Sequence, residues 1–227
     1  MAGETNLATM RFRTGELFDQ VARKLPDKIH GATMEGRFQF LASGDPLDRI
    51  FSLQSGKVKL TRTSSMGRDH VLEILGEGDV LGLESLAGEN VWFYTATSLE
   101  PAEIQWIRVE DMRKYLASNP NLEVQFLRLF GAQTQQRYER TMDLRDLDVP
   151  GRVAAVLLLL MRRFGEIGEA GVVLPRGLTQ SELAQMVGSS RETTNKVLAD
   201  FMARGWIQQQ TRVITILDAE RLIRRAS

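Results

Sequence analysis

Cysteine is absent from this 227-residue chain, and histidine occurs only twice. Without cysteine there can be no disulfide, no thiolate zinc site, no cysteine-ligated iron–sulfur cluster and no cysteine nucleophile. His30 and His70 stand far apart in the sequence, so no metal-spaced cluster is legible and metal ligands are expected to be none. No phosphate-binding loop is present, and an enzyme is not expected. Net charge is also missing, since 29 basic residues balance 29 acidic ones. Strong nonspecific attraction to nucleic acid is therefore not written into the chain as a whole. The residues from Asp146 onward carry a surplus of two positive charges, and those before it a deficit of two. Long hydrophobic runs are lacking too. The longest, "VAAVLLLLM" from Val153, covers roughly half a bilayer span. The opening "MAGETNLATMRFR" has no apolar segment of the signal-peptide kind. A soluble, cytoplasmic protein with no membrane partner is the expectation. What is there is ordinary globular composition, 43% hydrophobic and 26% charged, enough for one large or two modest domains.

The texture changes along the chain. Leu17, Phe18, Val21 and Leu25 recur at helical spacing behind Thr14, which reads as a helix N-cap. From Phe38 to about Ile107, short alternating runs ("RIFSL", "KVKLTR", "HVLEIL", "AEIQWI") are separated by glycine turns, the pattern of an all-β sandwich or barrel. "GEGDVLG" (76–82) approaches a dinucleotide fingerprint, but its last spacing is wrong and no helix follows, so it reads as a turn. "NPNLEVQFLRLFGAQTQQRYERTMDL" then reads as one long helix with Leu122, Phe126, Leu129, Gln133, Arg137, Arg140 and Leu144 on a stripe. The polar members of that stripe are either solvated or form a patch facing an effector. Asp148 and Pro150 mark a new helix start, and Val149, Val153, Val156, Leu157, Leu160 and Phe164 form its apolar face.

The C-terminal third carries the strongest motif. Thr179 and Glu182 fit a capping box, Leu183 and Val187 are buried positions, and Gly188 suits a left-handed helix end. Ser189 and Glu192 fit a second capping box. Two helices around a glycine turn, followed by the two strands of "WIQQQTRVITIL", make a winged helix-turn-helix pattern. On the second helix Arg191, Glu192, Asn195 and Lys196 span an arc of about 140°, opposite the apolar Val197, Leu198 and Phe201. A DNA major groove accounts for that choice. Arginine can donate twice to guanine and a carboxylate can accept from the cytosine amine, while short hydroxyls reach phosphates. The competing readings are a solvated surface pair and a winged helix that contacts protein.

"LTQSELAQMVGSSRETTNKVLADFMARGWI" resembles the DNA-binding domain of the Crp/Fnr transcription regulators, and "DVPGRVAAVLLLL" its hinge and first helix. "FLASGDPLDRIFSLQSGKVKL" and "ILGEGDVLGLESL" resemble the family's cyclic-nucleotide-binding-type β-roll. The resemblance implies an α+β chain with three parts. These are an N-terminal, jelly-roll-like β-roll sensor (1–117), a dimerisation helix with hinge (118–147), and a winged helix-turn-helix (148–227). It also implies a homodimer that regulates transcription at a pseudo-palindromic double-stranded operator with GTG/CAC-like half-sites, with RNA polymerase as a further partner. Arg191, Glu192 and Lys196 match base-reading positions, with Asn195 on the same face. Lys196 stands where arginine is usual, which weakens base reading there. Thr179, Gln180, Ser190 and Thr193 match phosphate-contacting positions, and Ser189 and the wing's Arg212 join them. Leu122, Phe126, Leu129 and Gln133 are expected at the dimer interface.

The effector cassette departs from the cyclic-AMP-binding pattern. Gly82 matches its glycine, but Leu83 replaces the glutamate, and Glu89 and Asn90 fall nearest the phosphate-gripping Arg-Ser pair. An effector pocket would draw on Gly82, Leu83, Glu84, Ser85, Gln133, Arg137 and Tyr138. Cyclic AMP and haem are not expected, and the effector is either unidentified or absent.

Overall fold

A computed structural model describes residues 7–211 and 213–227, with side chains for all of these except 7–14, 136, 137 and 139–145. The chain forms two compact units, residues 1–62 with 72–136 and residues 63–71 with 137–227.

Eight strands between residues 30 and 108 make two four-stranded sheets. One has the order β1 (His30–Met34), β8 (Ala102–Arg108), β3 (Arg49–Ser55), β6 (Val80–Leu81). The other runs β2 (Gln39–Leu41), β7 (Thr95–Ser98), β4 (Val58–Thr63), β5 (Asp69–Leu75). Alternation in the sequence sets the two faces. Leu53, Val58, Leu60, Leu75, Ala96 and Ile104 point into a shared core, and the residues of opposite parity lie on the other face, where Ile50 and Ile107 are buried in a second cluster. Aromatic rings fill that core. Phe51 contacts Trp92 at 6.0 Å between ring centroids, Trp92 contacts Tyr94 at 5.5 Å, and Phe40 meets Phe51 edge-on. "GEGDVLG" is a turn leading into β6: Gly76 N–H donates to the buried Asp79 carboxylate at 2.7 Å. A short 3-10 turn, Leu83–Ala87, follows it.

Helices build the second core of the first unit. Leu17, Phe18 and Val21 of α1 (Leu7–Lys24), Met112 and Leu116 of α2 (Val109–Ala117), and Leu122 and Phe126 of α3 (Pro120–Asp146) pack with Ile50, Leu83 and Ile107. Two expectations are corrected here. Helix α1 begins at Leu7, so Thr14 lies within it instead of capping it. Leu122 and Phe126 are 9% and 1% exposed within their own chain, with Leu129 packed against the same cluster. A helical apolar stripe reveals which face is buried, and here that face is covered by the chain itself. Among the described side chains of α3, the large apolar ones left uncovered are Val124 (44% exposed), Leu127 (51%) and Tyr138 (70%).

In the second unit, α4 (Val149–Phe164) starts as its sequence requires, with the Asp148 carboxylate accepting from Gly151 N–H at 2.9 Å. Its buried Val153, Val156, Leu157 and Leu160 form the floor on which α5 (Gln180–Val187) and α6 (Arg191–Ala203) sit. A small antiparallel sheet, in the order β11 (Ile207–Gln210), β12 (Val213–Ile216), β10 (Val172–Val173), β9 (Glu166–Ile167), completes the unit. The glycine-rich segment after Phe164 thus contributes two strands that alternation was too short to show. Helix α7 (Ala219–Arg225) closes the chain, and Arg225 Nη2 donates to the Asp148 carboxylate at 2.6 Å. Among the described residues no helix is long and apolar enough to cross a membrane, and no group of three metal-ligating side chains assembles.

Candidate nucleic-acid interface

Helix α5 is fixed at both ends by its sequence. Thr179 Oγ1 accepts from Glu182 N–H at 3.2 Å, while Thr179 N–H and its hydroxyl both donate to Glu182 Oε2, at 2.8 and 2.9 Å. This is the expected capping box. It places a carboxylate only 4% exposed against the amide hydrogens of a helix start, where negative charge is favoured. Gly188 ends the helix in the left-handed conformation at φ 68°, a region costly for other residues. From the α4 side, Arg152 Nε donates to Val187 O at 2.9 Å and its Nη1 to Leu147 O at 3.0 Å, which pins the end of α5 to the start of α4.

Helix α6 opens one residue later than the sequence implied. Its cap is Ser190, whose Oγ accepts from Thr193 N–H at 3.0 Å and lies 2.8 Å from the Thr193 hydroxyl. The capping box expected from Ser189 and Glu192 does not form. Ser189 is held in the turn, its N–H donating to Ala184 O at 3.1 Å. Glu192 instead faces Lys196, one turn on, at 2.8 Å, both side chains more than 70% exposed. Glutamate preceding lysine by four residues is the favourable order along a helix. The inner face of α6 buries Thr194, Val197, Leu198 and Phe201, and Trp206 packs on Phe201 at 5.0 Å.

The four predicted base-reading residues therefore share one helix but not one environment. Arg191, Glu192 and Lys196 are exposed, whereas Asn195 is half-buried. Asn195 Nδ2 donates to Gln180 Oε1 at 3.2 Å, and the same oxygen takes a longer 3.5 Å contact from Arg191 Nη2. The Asn195 carbonyl oxygen is buried with no hydrogen-bond partner. Of the predicted phosphate contacts, Ser190 and Thr193 lie exposed at the start of α6, and Thr179 and Gln180 sit at the start of α5. Arg212 lies outside the described residues. The wing turns through Thr211, held at φ 46°, an uncommon conformation for a β-branched residue. Sequence reasoning missed Gln209, which lines a cleft of about 380 Å³ with Gln180 and Arg191. Its position within "QQQ" gave no pattern that could have marked it.

The proposed effector residues fall differently. Gly82 adopts φ 88°, and a Cβ there would stand 2.7 Å from Arg49 O and 2.9 Å from the Trp92 ring. Leu83 turns into the helical core at 4% exposure, and the buried Ser85 hydroxyl donates to Gly82 O at 2.6 Å. Glu84 is half-buried beside them, and Glu89 and Asn90 are exposed. On α3, Gln133 is half-buried and Tyr138 is 70% exposed, while the Arg137 side chain lies outside the described residues. Leu83 lines a cavity of about 220 Å³ with Arg113, Phe126 and Leu127. His30 stacks on Trp106 at 4.1 Å, and His70 is exposed.

A β-roll unit, a long helix and a winged helix-turn-helix with a polar outward face define the class of two-unit DNA-binding regulators. Residues 40–119 match the model of the cyclic nucleotide-binding domain, and residues 151–225 that of the Crp-like helix-turn-helix domain. A CRP-like cAMP-activated global transcriptional regulator of Mycobacterium tuberculosis is 39% identical over 185 residues, which are 82% of this chain and 83% of that protein. A global nitrogen regulator of a Nostoc species is 29% identical over 186 residues, 81% and 83% of the two chains. Among solved structures, FixK2 from Bradyrhizobium japonicum superposes with a TM-score of 0.77 at 16% identity, covering 88% of this chain and 98% of that one. A CRP-family regulator from Thermus thermophilus gives 0.74 at 23% identity, covering 86% and 96%; both likenesses concern the fold. The chain belongs to the Crp/Fnr family of DNA-binding transcription regulators.

Proposed function

We propose that the protein acts as a homodimer that reads an inverted repeat with GTG/CAC-like half-sites. The observation that carries this reading is the first turn of α6. Arg191 and Glu192 stand exposed there, side by side, on a helix whose opposite face is locked into the core. Arginine reads guanine through O6 and N7, and glutamate accepts from the cytosine amine of the next pair. A carboxylate facing a polyanion is repelled unless it reads a base, and Lys196 at 2.8 Å offsets part of that repulsion. Two copies related by a two-fold axis would place their α6 helices in successive major grooves about 34 Å apart. Two features of α3 support the dimer. Val124, Leu127, Gly131 and Thr134 follow the three–four spacing of a helix–helix seam. Nothing lies within 4 Å of where a Gly131 Cβ would stand, which leaves room for close approach.

The effector of this protein is not cyclic AMP. The Mycobacterium tuberculosis relative is named as cAMP-activated, but this chain has Leu83 in place of the cassette glutamate, turned into an apolar core. It also has acidic Glu89 near the phosphate position, and the Trp92 ring packed over Gly82. A phosphate set beside Glu89 would be repelled. The regulator is gated by another effector or is constitutively active. RNA polymerase is its further partner.

Binding-site selection on wild type and Arg191→Ala tests the DNA reading. The variant is expected to lose about 1–3 kcal/mol per half-site and its preference at one guanine. A uniform loss across sequences with an unchanged site preference would refute base reading by this helix. Titration calorimetry with cyclic AMP is expected to show no micromolar binding, and one site per chain would overturn the effector reading.

A further inference from the structure

The amide of Asn195 cannot serve as a base reader in the arrangement that α5 and α6 impose. An asparagine that reads adenine uses its carbonyl oxygen and its amide together, in a bidentate pair with N6 and N7. Here the carbonyl oxygen is buried without a partner, and Nδ2 already donates to Gln180 Oε1 at 3.2 Å. Gln180 sits at the first position of α5, directly after the Thr179 cap, so its place is set by the capping box and the α4 floor. Its Oε1 also receives Arg191 Nη2 at 3.5 Å. One carbonyl thus joins the well-fixed start of α5, the half-buried Asn195 and the exposed guanidinium of Arg191.

We infer that Gln180 and Asn195 are positioning residues that set the guanine preference of Arg191, and are not contacts to DNA in their own right. The inference deepens the proposed function and rests on Arg191 reading a base. A guanidinium on a long, flexible stem samples many rotamers, and a bidentate contact requires its plane to lie in that of the base. Asn195 holds the Gln180 amide with its oxygen toward Arg191. Arg191 meets that oxygen through a single nitrogen, which leaves the other guanidinium nitrogens to face the groove. Removing either amide frees the guanidinium plane. The charge stays and still attracts phosphate, but selection between bases falls.

Binding-site selection and salt-dependent affinity on full-length wild type, Gln180→Ala, Asn195→Ala, Arg191→Ala and Arg191→Ala/Asn195→Ala separate the outcomes. The inference expects Gln180→Ala and Asn195→Ala to lower discrimination at the base pair that Arg191→Ala affects, by about five- to tenfold, and at no other. The slope of affinity against salt and the thermal midpoint should not change, and Asn195→Ala should add nothing in the Arg191→Ala background. Relaxed selection at a different base pair would make Asn195 a direct reader and overturn the inference. A uniform loss with a salt slope shallower by about one would make Gln180 a phosphate contact and overturn it equally. A lowered thermal midpoint with specific and nonspecific binding falling together would reduce the pair to a structural contact, also against it. If Arg191→Ala itself leaves the site preference unchanged, the proposed function fails. If Arg191→Ala shifts the preference and neither amide variant does, only the positioning role fails.

Discussion

Phe126 and Leu127 are adjacent on α3, yet one is buried and the other, on the proposed dimer seam, is half exposed. Phe126 is 1% exposed in a core with Phe18, Ile107 and Met112, while Leu127 is 51% exposed. Truncating a buried phenylalanine costs about 3–5 kcal/mol through lost burial and the cavity left behind. Phe126→Ala should therefore lower the folding stability of the first unit and leave the association of the remaining folded protein unchanged. Leu127→Ala should do the reverse. Full burial of a leucine contributes about 1.5–3 kcal/mol, and the exposed half of Leu127 carries about half of that. Two-fold symmetry counts it twice, giving about 2 kcal/mol per dimer. The dimer dissociation constant should then rise about 30-fold with little change in unfolding. Sedimentation velocity over a concentration series, paired with urea unfolding, separates the two effects. If Leu127→Ala associates like wild type while Phe126→Ala yields folded monomers, the seam does not lie on the Val124–Leu127 face.

Three further outcomes follow from particular contacts. Gly82→Ala forces a Cβ to within 2.7 Å of Arg49 O at φ 88°, so it should destabilise the β-roll by about 1–3 kcal/mol, read as a lowered thermal midpoint with the winged-helix unit unaffected. Glu192→Gln keeps the shape of the side chain but removes the charge, so it should raise affinity for nonspecific DNA at low salt while relaxing selection at its C·G pair in competition assays. The Arg225 guanidinium, followed by the Gly151 N–H, holds the Asp148 carboxyl below its ordinary value of 3.8. A depressed folded-state value means that this stabilisation is present above the unfolded-state pKa and is lost as pH falls through the folded one. Acid unfolding of the winged-helix unit should thus become shallower below about pH 4 in Asp148→Asn, as followed by the near-ultraviolet signal of Trp206.

The elements that sequence revealed best are those whose signal is local. Thr179–Glu182 specifies a helix start in four residues, and the structure makes both hydrogen bonds of that box. The alternation of "KVKLTR" gives β4 the same faces it has in the fold. Ser190 was harder to place, because Ser189 and Ser190 are equivalent in composition. Only the turn geometry set by Gly188, with Ser189 N–H engaged by Ala184 O, decides which of them caps. The short strands β9 and β10 hold two residues each, fewer than one period of alternation needs. Helix α7 is seven residues long, capped locally by the Asp218 carboxylate accepting from Arg221 N–H at 3.0 Å, but it is too short for apolar periodicity to show.

The candidate site shows the same limit in sharper form. Helical spacing groups Arg191, Glu192, Asn195 and Lys196 on one arc, but spacing is blind to a neighbouring helix. Asn195 lies at the edge where α5 crosses, and Gln180 draws its amide inward. The stripe Leu122, Phe126 and Leu129 likewise marked a buried face without naming what buries it. Periodicity records how much apolar surface must leave water, and α1 and α2 meet that requirement from within the chain. A surface left for a second copy is legible only after the internal core has been subtracted, because Val124, Leu127 and Gly131 repeat at the same helical spacing as the residues beside them. The face proposed to read DNA escapes this ambiguity because its residues are polar: no internal core calls for Arg191 and Glu192 side by side, so their presence on an exposed helix start points outward.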